Sequence, residues 1–179
     1  YTLSLHDALP IWSAKGNQWH FGMKCHSGED AGSGYVHSAT FTAANVPDVC
    51  EAHGLVRDDD EFCYADAGYR GVARREEVRS DPHLSKVDWR VAMGPSKLRA
   101  LSPAQWADRG EERRKASVRT RAEHPYQIVK RTFGYAKVRY RGIAKNASRI
   151  LTLLASANLL MCARAGRQGE FLGASLTAA

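Results

Sequence analysis

Apolar and polar residues alternate from Gln18 to His26, with Trp19, Phe21, Met23 and Cys25 separated by His20, Gly22, Lys24 and His26. A period of two predicts a strand with one buried face. The stretch GEDAGSG, Gly28 to Gly34, predicts a turn, and Tyr35 to Thr42 the returning strand of a hairpin. No helix pattern follows Gly32 and Gly34, so a phosphate-binding loop is the weaker reading of those glycines. Val49, Ala52, His53 and Val56 fall at helical spacing, and Asn45 can cap a helix running to about Val56. Asp58, Asp59 and Asp60 read as a solvated acidic turn in preference to metal ligands. Glu61 to Ala65 predicts a short apolar strand, Val72 to Arg79 a short helix and Val87 to Ala92 a further strand. The Gly-, Pro- and Ser-punctuated stretch from Gly94 to Gly110 reads as a loop. A basic helix is expected over about Ala116 to Phe133, then a connection, then an apolar helix at Ile150 to Met161 that is too short to span a bilayer. Strands interspersed with helices predict an α/β domain with a mixed sheet and flanking helices.

The first eleven residues stand apart. YTLSLHDALPI matches, residue for residue, one reading frame of a common synthetic sequencing adapter, and such segments are excluded from fold reasoning. On this reading residues 1–11 are not native and the natural protein begins further upstream. Residues 12–165 then form one domain, and residues 166–179 are expected to be a disordered tail.

A net charge of +7 and a pI near 9.4 point to a polyanionic partner. The charge is uneven: Glu111 to Arg149 holds twelve Lys or Arg against three acidic residues. Gly28 to Glu77 is acidic or balanced. A nucleic-acid enzyme needs both, cations for phosphates and carboxylates for metal; a solvated basic helix is the plainer alternative. Cys25, Cys50, Cys63 and Cys162 form no C-x-x-C pair, which argues against a zinc knuckle and a disulfide framework and for free, mostly buried thiols in a reducing cytoplasm.

Two carboxylates are candidates for chemistry. Asp66 ends a predicted strand at a Gly turn, the edge where open α/β sheets place their sites; an Asp before Gly is equally a turn former. Arg119, Glu123 and Lys130 lie at offsets of four and seven, one face of a continuous helix. They could hold metal and phosphate or form a surface salt-bridge stripe, and Pro125 should kink the helix beside them. His20, His26 and His37 could cluster on the hairpin, although scattered strand histidines are more often structural. His124 has no separate role. No serine-hydrolase elbow, Lys-Ser/Thr phosphate loop or zinc-protease His pair is present.

The strings KGNQWHFGMKCH, DAGSGYVHS, TAANVPDV, ADAGYRG, KASVRTRAEHPYQIVKRTFGYAKVRYRGIAKN and LLASANLL, in this order, resemble the DDE-type transposases of bacterial insertion sequences. The likeness is to the insertion-sequence-five group of the insertion-sequence-four superfamily and runs from Lys15 to about Ala163. It implies a ribonuclease-H-like fold with catalytic Asp, Asp and Glu. It also implies Mg²⁺ or Mn²⁺ as cofactor, double-stranded DNA (transposon ends and target) as partner, and a homo-oligomer when full length. By resemblance Asp66 matches the second catalytic Asp and Glu123 the catalytic Glu, both as metal ligands. Arg119 and Lys130 match the Arg and Lys of the Tyr-x2-Arg-x3-Glu-x6-Lys signature, and Ala116 stands at its Tyr. The first catalytic Asp falls upstream of KGNQW, where the adapter-like segment stands. Asp30, the nearest substitute, matches the hairpin turn. The chain is therefore expected to be a transposase fragment unable to transpose as written. A non-catalytic DNA-binding remnant and a small basic RNA- or DNA-binding protein are the alternatives.

Overall fold

The computed structural model describes residues 12–15, 18–100 and 106–167. The protein is α/β. Among the described residues six strands run in chain order: β1 Trp12–Lys15, β2 Gln18–Phe21, β3 Met23–Glu29, β4 Val36–Ala43, β5 Phe62–Ala65 and β6 Asp88–Val91. They pair, among the described residues, as three two-stranded ladders rather than the expected single mixed sheet. β1–β2 and β3–β4 are antiparallel, and β5–β6 is parallel. The helices are α1 Glu76–Arg79, α2 Pro95–Arg99, α3 Trp106–Ala122, α4 His124–Gln127 and α5 Ile143–Arg167. Residues 1–11 and 168–179, and with them most of the expected tail, lie outside the described residues; Gly166 and Arg167 belong to α5.

The alternation from Gln18 to His26 belongs to two strands. Gly22 interrupts it, so Gln18–Phe21 pairs with Trp12–Lys15 while Met23–Glu29 pairs with Val36–Ala43. Glycine inside a strand pattern brings no side chain to pack and commonly marks such a break. The predicted hairpin is β3–β4. In its turn Asp30 Oδ1 accepts hydrogen bonds from the Ser33 N–H and Oγ, both at 2.6 Å. Gly34 closes the turn at φ 74°, where a Cβ would lie 3.1 Å from the Arg121 carbonyl oxygen of α3. Both the backbone angle and the close approach require glycine. Arg121 Nη1 in return donates to the carbonyls of Ala31 (3.1 Å) and Gly32 (3.3 Å), seating the hairpin turn on α3.

The helix expected from Asn45 to Val56 is two 3₁₀ turns, Asp48–Cys50 and Ala52–Gly54. Pro47, extended at ψ 141°, sets the start, and Gly54 ends the second turn. The helix expected at Val72–Arg79 is likewise a 3₁₀ turn, Val72–Arg74, followed by α1, because Arg75 between them is extended. The Gly94–Gly110 loop holds α2, with Pro95 in its first turn, and the beginning of α3. α3 starts ten residues before the predicted helix. It is anchored by buried Glu112, whose carboxylate accepts from the Met93 N–H at 2.8 Å and from Lys115 Nζ at 2.9 Å. Sequence periodicity gives no sign of that anchor, because it joins a helix to the end of a strand.

Two apolar clusters organise the interior. One gathers Ala52, Val72, Val78 and Leu84 under the crossover between β5 and β6. The other joins α5, through Leu153, Leu154, Ala157 and Met161, to Ile128, Val129 and Tyr135, with Val36 and Ala39 of β4 against it. Asn158 is a polar residue of this apolar helix with a specific partner. Its amide donates to the Val36 carbonyl at 2.7 Å and accepts from the Val36 N–H at 3.0 Å. It thereby satisfies a strand-edge peptide that would otherwise lack partners. All four cysteines are free thiols, Cys162 exposed and the other three half-buried. No helix among the described residues is long and apolar enough to cross a membrane.

Candidate active-site cleft

β3, the end of β5, the 3₁₀ turns and the C-terminal end of α3 enclose a cleft of about 710 Å³. Asp66 lies at its wall, immediately after β5. Its backbone is extended (φ −79°, ψ 177°) and Oδ1 accepts the Gly68 N–H at 2.8 Å, capping the turn Ala67–Tyr69. The turn-former reading of Asp66 and its strand-end position therefore describe the same residue. The other carboxylate oxygen has no partner among the described residues.

Glu123 reaches the same cleft from the junction of α3 and α4. Pro125, which has no N–H to donate, falls where the helix divides into α3 and α4, yet bonds on both sides of the junction persist: Glu123 N–H donates to Arg119 O and Gln127 N–H to Glu123 O, each at 3.1 Å. Arg119 therefore sits one turn before Glu123 on the same wall. The register changes further on, where Ile128–Thr132 forms a π turn and Phe133 N–H reaches back to Ile128 O. Lys130 lies in that turn, exposed and outside the cleft lining. Arg119, Glu123 and Lys130 form no ion pair with one another, so the salt-bridge stripe is absent.

Asp48, which no sequence pattern marks, also lines the cleft. Its Oδ1 lies 3.0 Å from Lys24 Nζ and 3.6 Å from His26 Nδ1. Lys24 Nζ also donates to the Val46 carbonyl at 2.9 Å. His26 is buried and its Nε2 bonds Thr42 Oγ1 at 2.7 Å, so both ring nitrogens are engaged in the fold. Burial holds its pKa below the ordinary value against the pull of Asp48. Gly68 separates the two aspartates: a Cβ there would lie 2.9 Å from Asp66 Oδ1 and 3.4 Å from Asp48 Oδ2. A non-helical D-x-G at a strand end was the available signal for this packing; the partner Asp48 had none.

A second set of polar groups sits deeper in the cleft. Ser27 Oγ donates to Glu29 and shares a hydrogen bond with the Tyr126 hydroxyl, which reaches Cys25 Sγ at 3.5 Å. Burial raises the Glu29 pKa to about 7, against the lowering by Ser27. Burial likewise raises Tyr126 and Cys25. Tyr126 lies three residues after Glu123, so this network fixes the helix that carries it.

The family described as Transposase DDE domain matches residues 2–159. The chain belongs to that family. The match takes in most of the segment read above as adapter, together with both carboxylates of the cleft. No solved structure matches the chain. Among the described residues of this DDE domain, no group of three His, Cys, Asp or Glu is placed to hold a metal ion. Mg²⁺ nevertheless binds through one or two carboxylates completed by substrate phosphate and water. Asp66 and Glu123, hard oxygen donors on one cleft, fit that requirement in kind.

Proposed function

We propose that the chain is the C-terminal catalytic part of an insertion-sequence-five-group transposase with a ribonuclease-H-like core, acting on double-stranded DNA at transposon ends and target. Asp66 and Glu123 are its second and third catalytic carboxylates. The observation that carries this is the convergence of a strand-end Asp and a helix-borne Glu, distant in sequence, on one cleft that Arg119 also lines. In the reaction class, an oxygen of water or of a 3′-hydroxyl attacks phosphorus, the bond from phosphorus to the leaving oxygen breaks, and that oxygen takes up a proton. Bound Mg²⁺ or Mn²⁺ would lower the pKa of the attacking group and neutralise developing charge. The two carboxylates would hold the metal, while Arg119 in the cleft and Lys130 beyond it grip phosphates, which position DNA without reading its sequence. With Asp66 and Glu123 as the carboxylates assigned here, this chain is proposed to bind metal weakly and not to transpose alone. Oligomerisation and nucleoid association belong to the same reading of the full-length protein.

Calorimetric titration of the purified chain with Mn²⁺ is the test. Asp66→Asn and Glu123→Gln are each expected to weaken binding by about tenfold or more, since even outer groups of metal sites are worth that much. Both should retain salt-sensitive duplex binding, which rests on Lys and Arg. Unchanged Mn²⁺ affinity in both variants would overturn the assignment and leave a DNA-binding remnant as the better account.

Gly68→Ala tests geometry separately from charge. The added methyl meets the end of a movable carboxylate, so the fold should lose less than about 1 kcal/mol. Asp66 must turn to make room, and Mn²⁺ affinity should fall while the melting temperature hardly moves. Full retention of affinity would mean that the carboxylate's orientation is immaterial.

A further inference from the structure

The connection between the π turn and α5 lies outside the cleft and has no part in the function proposed above. Its sequence, Lys137-Val138-Arg139-Tyr140-Arg141, alternates cations with apolar or aromatic residues. All five are exposed, Val138 and Tyr140 each at 49%. No acidic residue occurs from His124 to Gln168, a stretch with nine Lys or Arg, so the loop's cations face no internal competitor from their own segment.

The loop is held in shape. Asn146, only 3% exposed, accepts from the Tyr140 N–H at 3.2 Å and donates to the carbonyls of Tyr140 (2.7 Å) and Gly142 (2.6 Å). Its Oδ1 also accepts from the Tyr135 hydroxyl at 3.2 Å. Gly134 and Gly142, at φ 65° and 86°, bracket the segment. Arg139 lies 5.8 Å over the Tyr135 ring and donates to the Gly134 carbonyl at 3.3 Å. A buried amide thus fixes the backbone of an exposed tyrosine, and such pre-organisation lowers the entropy cost of binding.

We propose that this loop grips unpaired DNA, with Tyr140 stacked on an exposed base and Lys137, Arg139 and Arg141 on the flanking phosphates. The inference rests on the DNA-binding reading of the family but not on Asp66 or Glu123. Cations interleaved with an aromatic ring are what a single strand requires, since its phosphates and base faces are both accessible. A duplex hides those faces and would use the cations alone. A membrane surface would favour contiguous apolar residues, whereas here every apolar position is flanked by charge.

Fluorescence anisotropy with a labelled oligothymidine and a blunt duplex of equal length tests this. Tyr140→Ala is expected to weaken single-strand binding by about tenfold, the effect of losing one stacked base, with duplex binding within about twofold. Tyr140→Phe should bind as the parent, and Tyr140→Trp should show indole quenching on adding the oligothymidine. Lys137→Ala should weaken both DNAs and reduce the salt slope by about one ion. Equal loss on both DNAs, or no loss for Tyr140→Ala, would overturn the proposal; so would Tyr140-dependent binding to phosphatidylglycerol vesicles with DNA binding unchanged. Leu159→Ala, at an exposed position of α5, should leave all these values as they are. Because the loop is read by DNA anisotropy and the carboxylates by Mn²⁺ titration, a failed loop and a failed metal site give different results.

Discussion

Leu154→Ala is expected to destabilise the protein by about 2–5 kcal/mol, the range for truncating a buried leucine whose cavity cannot fully collapse. Leu154 is 2% exposed and sits beside Ala157, which has no exposed surface at all. Its cluster combines α5 with Ile128 and Val129 of the π turn and, at its border, Val36 and Ala39 of β4. Three parts of the chain therefore depend on the same packing, and none can relax without disturbing the others. Against a typical total of about 5–15 kcal/mol, the loss leaves a marginal fold. The same helix supplies its own control: Leu159 is 72% exposed, so Leu159→Ala should change stability by less than about 0.5 kcal/mol. Urea unfolding would show the midpoint drop for Leu154→Ala with an unchanged slope. Equal midpoints for the two variants would mean that α5 does not dock as described.

Stability should also fall as the pH rises from about 4.5 to 7, through Glu29. Its pKa is raised by burial to about 7 in the folded protein, above the ordinary value of 4.5. Below 4.5 the group is protonated both folded and unfolded and contributes no difference. Between the two values the folded state holds the proton more tightly, so each rise in pH favours unfolding; above 7 the loss is complete. The full effect is up to about 3 kcal/mol. Ser27 bonds Glu29 from the same strand, Tyr126 bonds Ser27 and Cys25 in turn, and none of the three carries a positive charge that would offset the burial. His26 and His37 act in the opposite sense. Burial lowers both below 6.5, so they favour unfolding as the pH falls. The informative quantity is therefore the difference between the parent and Glu29→Gln, measured by urea unfolding at intervals across this range. A constant difference between pH 4.5 and 7 would show that Glu29 titrates normally.

The elements that the sequence identified best are those whose partners lie nearby along the chain. The β3–β4 hairpin has a period-two pattern and a turn whose Asp30, Ser33 and Gly34 bond one another. β5, β6 and the core of α5 were visible as short apolar runs. Apolar spacing overstates the helix at Asn45–Val56 because Pro47 and Gly54 act on the backbone regardless of the spacing between them. The start of α3 was missed for the opposite reason: a polar segment is helical because Glu112 is tied to the Met93 N–H.

The same division holds for the candidate site. Asp66 at a strand end and Glu123 one turn after Arg119 are local features, as is the resemblance of ADAGYRG and RAEHP to a transposase. That one cleft contains both carboxylates is a tertiary fact, as are Asp48 beside Gly68 and Ser27 joining Glu29 to Tyr126. By itself, the sequence determined the α/β class, the family and the basic C-terminal half, and it singled out Asp66 and Glu123 as candidates, because each is encoded in short-range pattern or residue type. Only the tertiary structure decided the pairing of strands into three ladders, the π turn that takes Lys130 away from the cleft, the clamp of Asn146 on Tyr140 and the raised pKa of Glu29. Those depend on contacts between distant residues and on exclusion of water, and neither leaves a local signature in the chain.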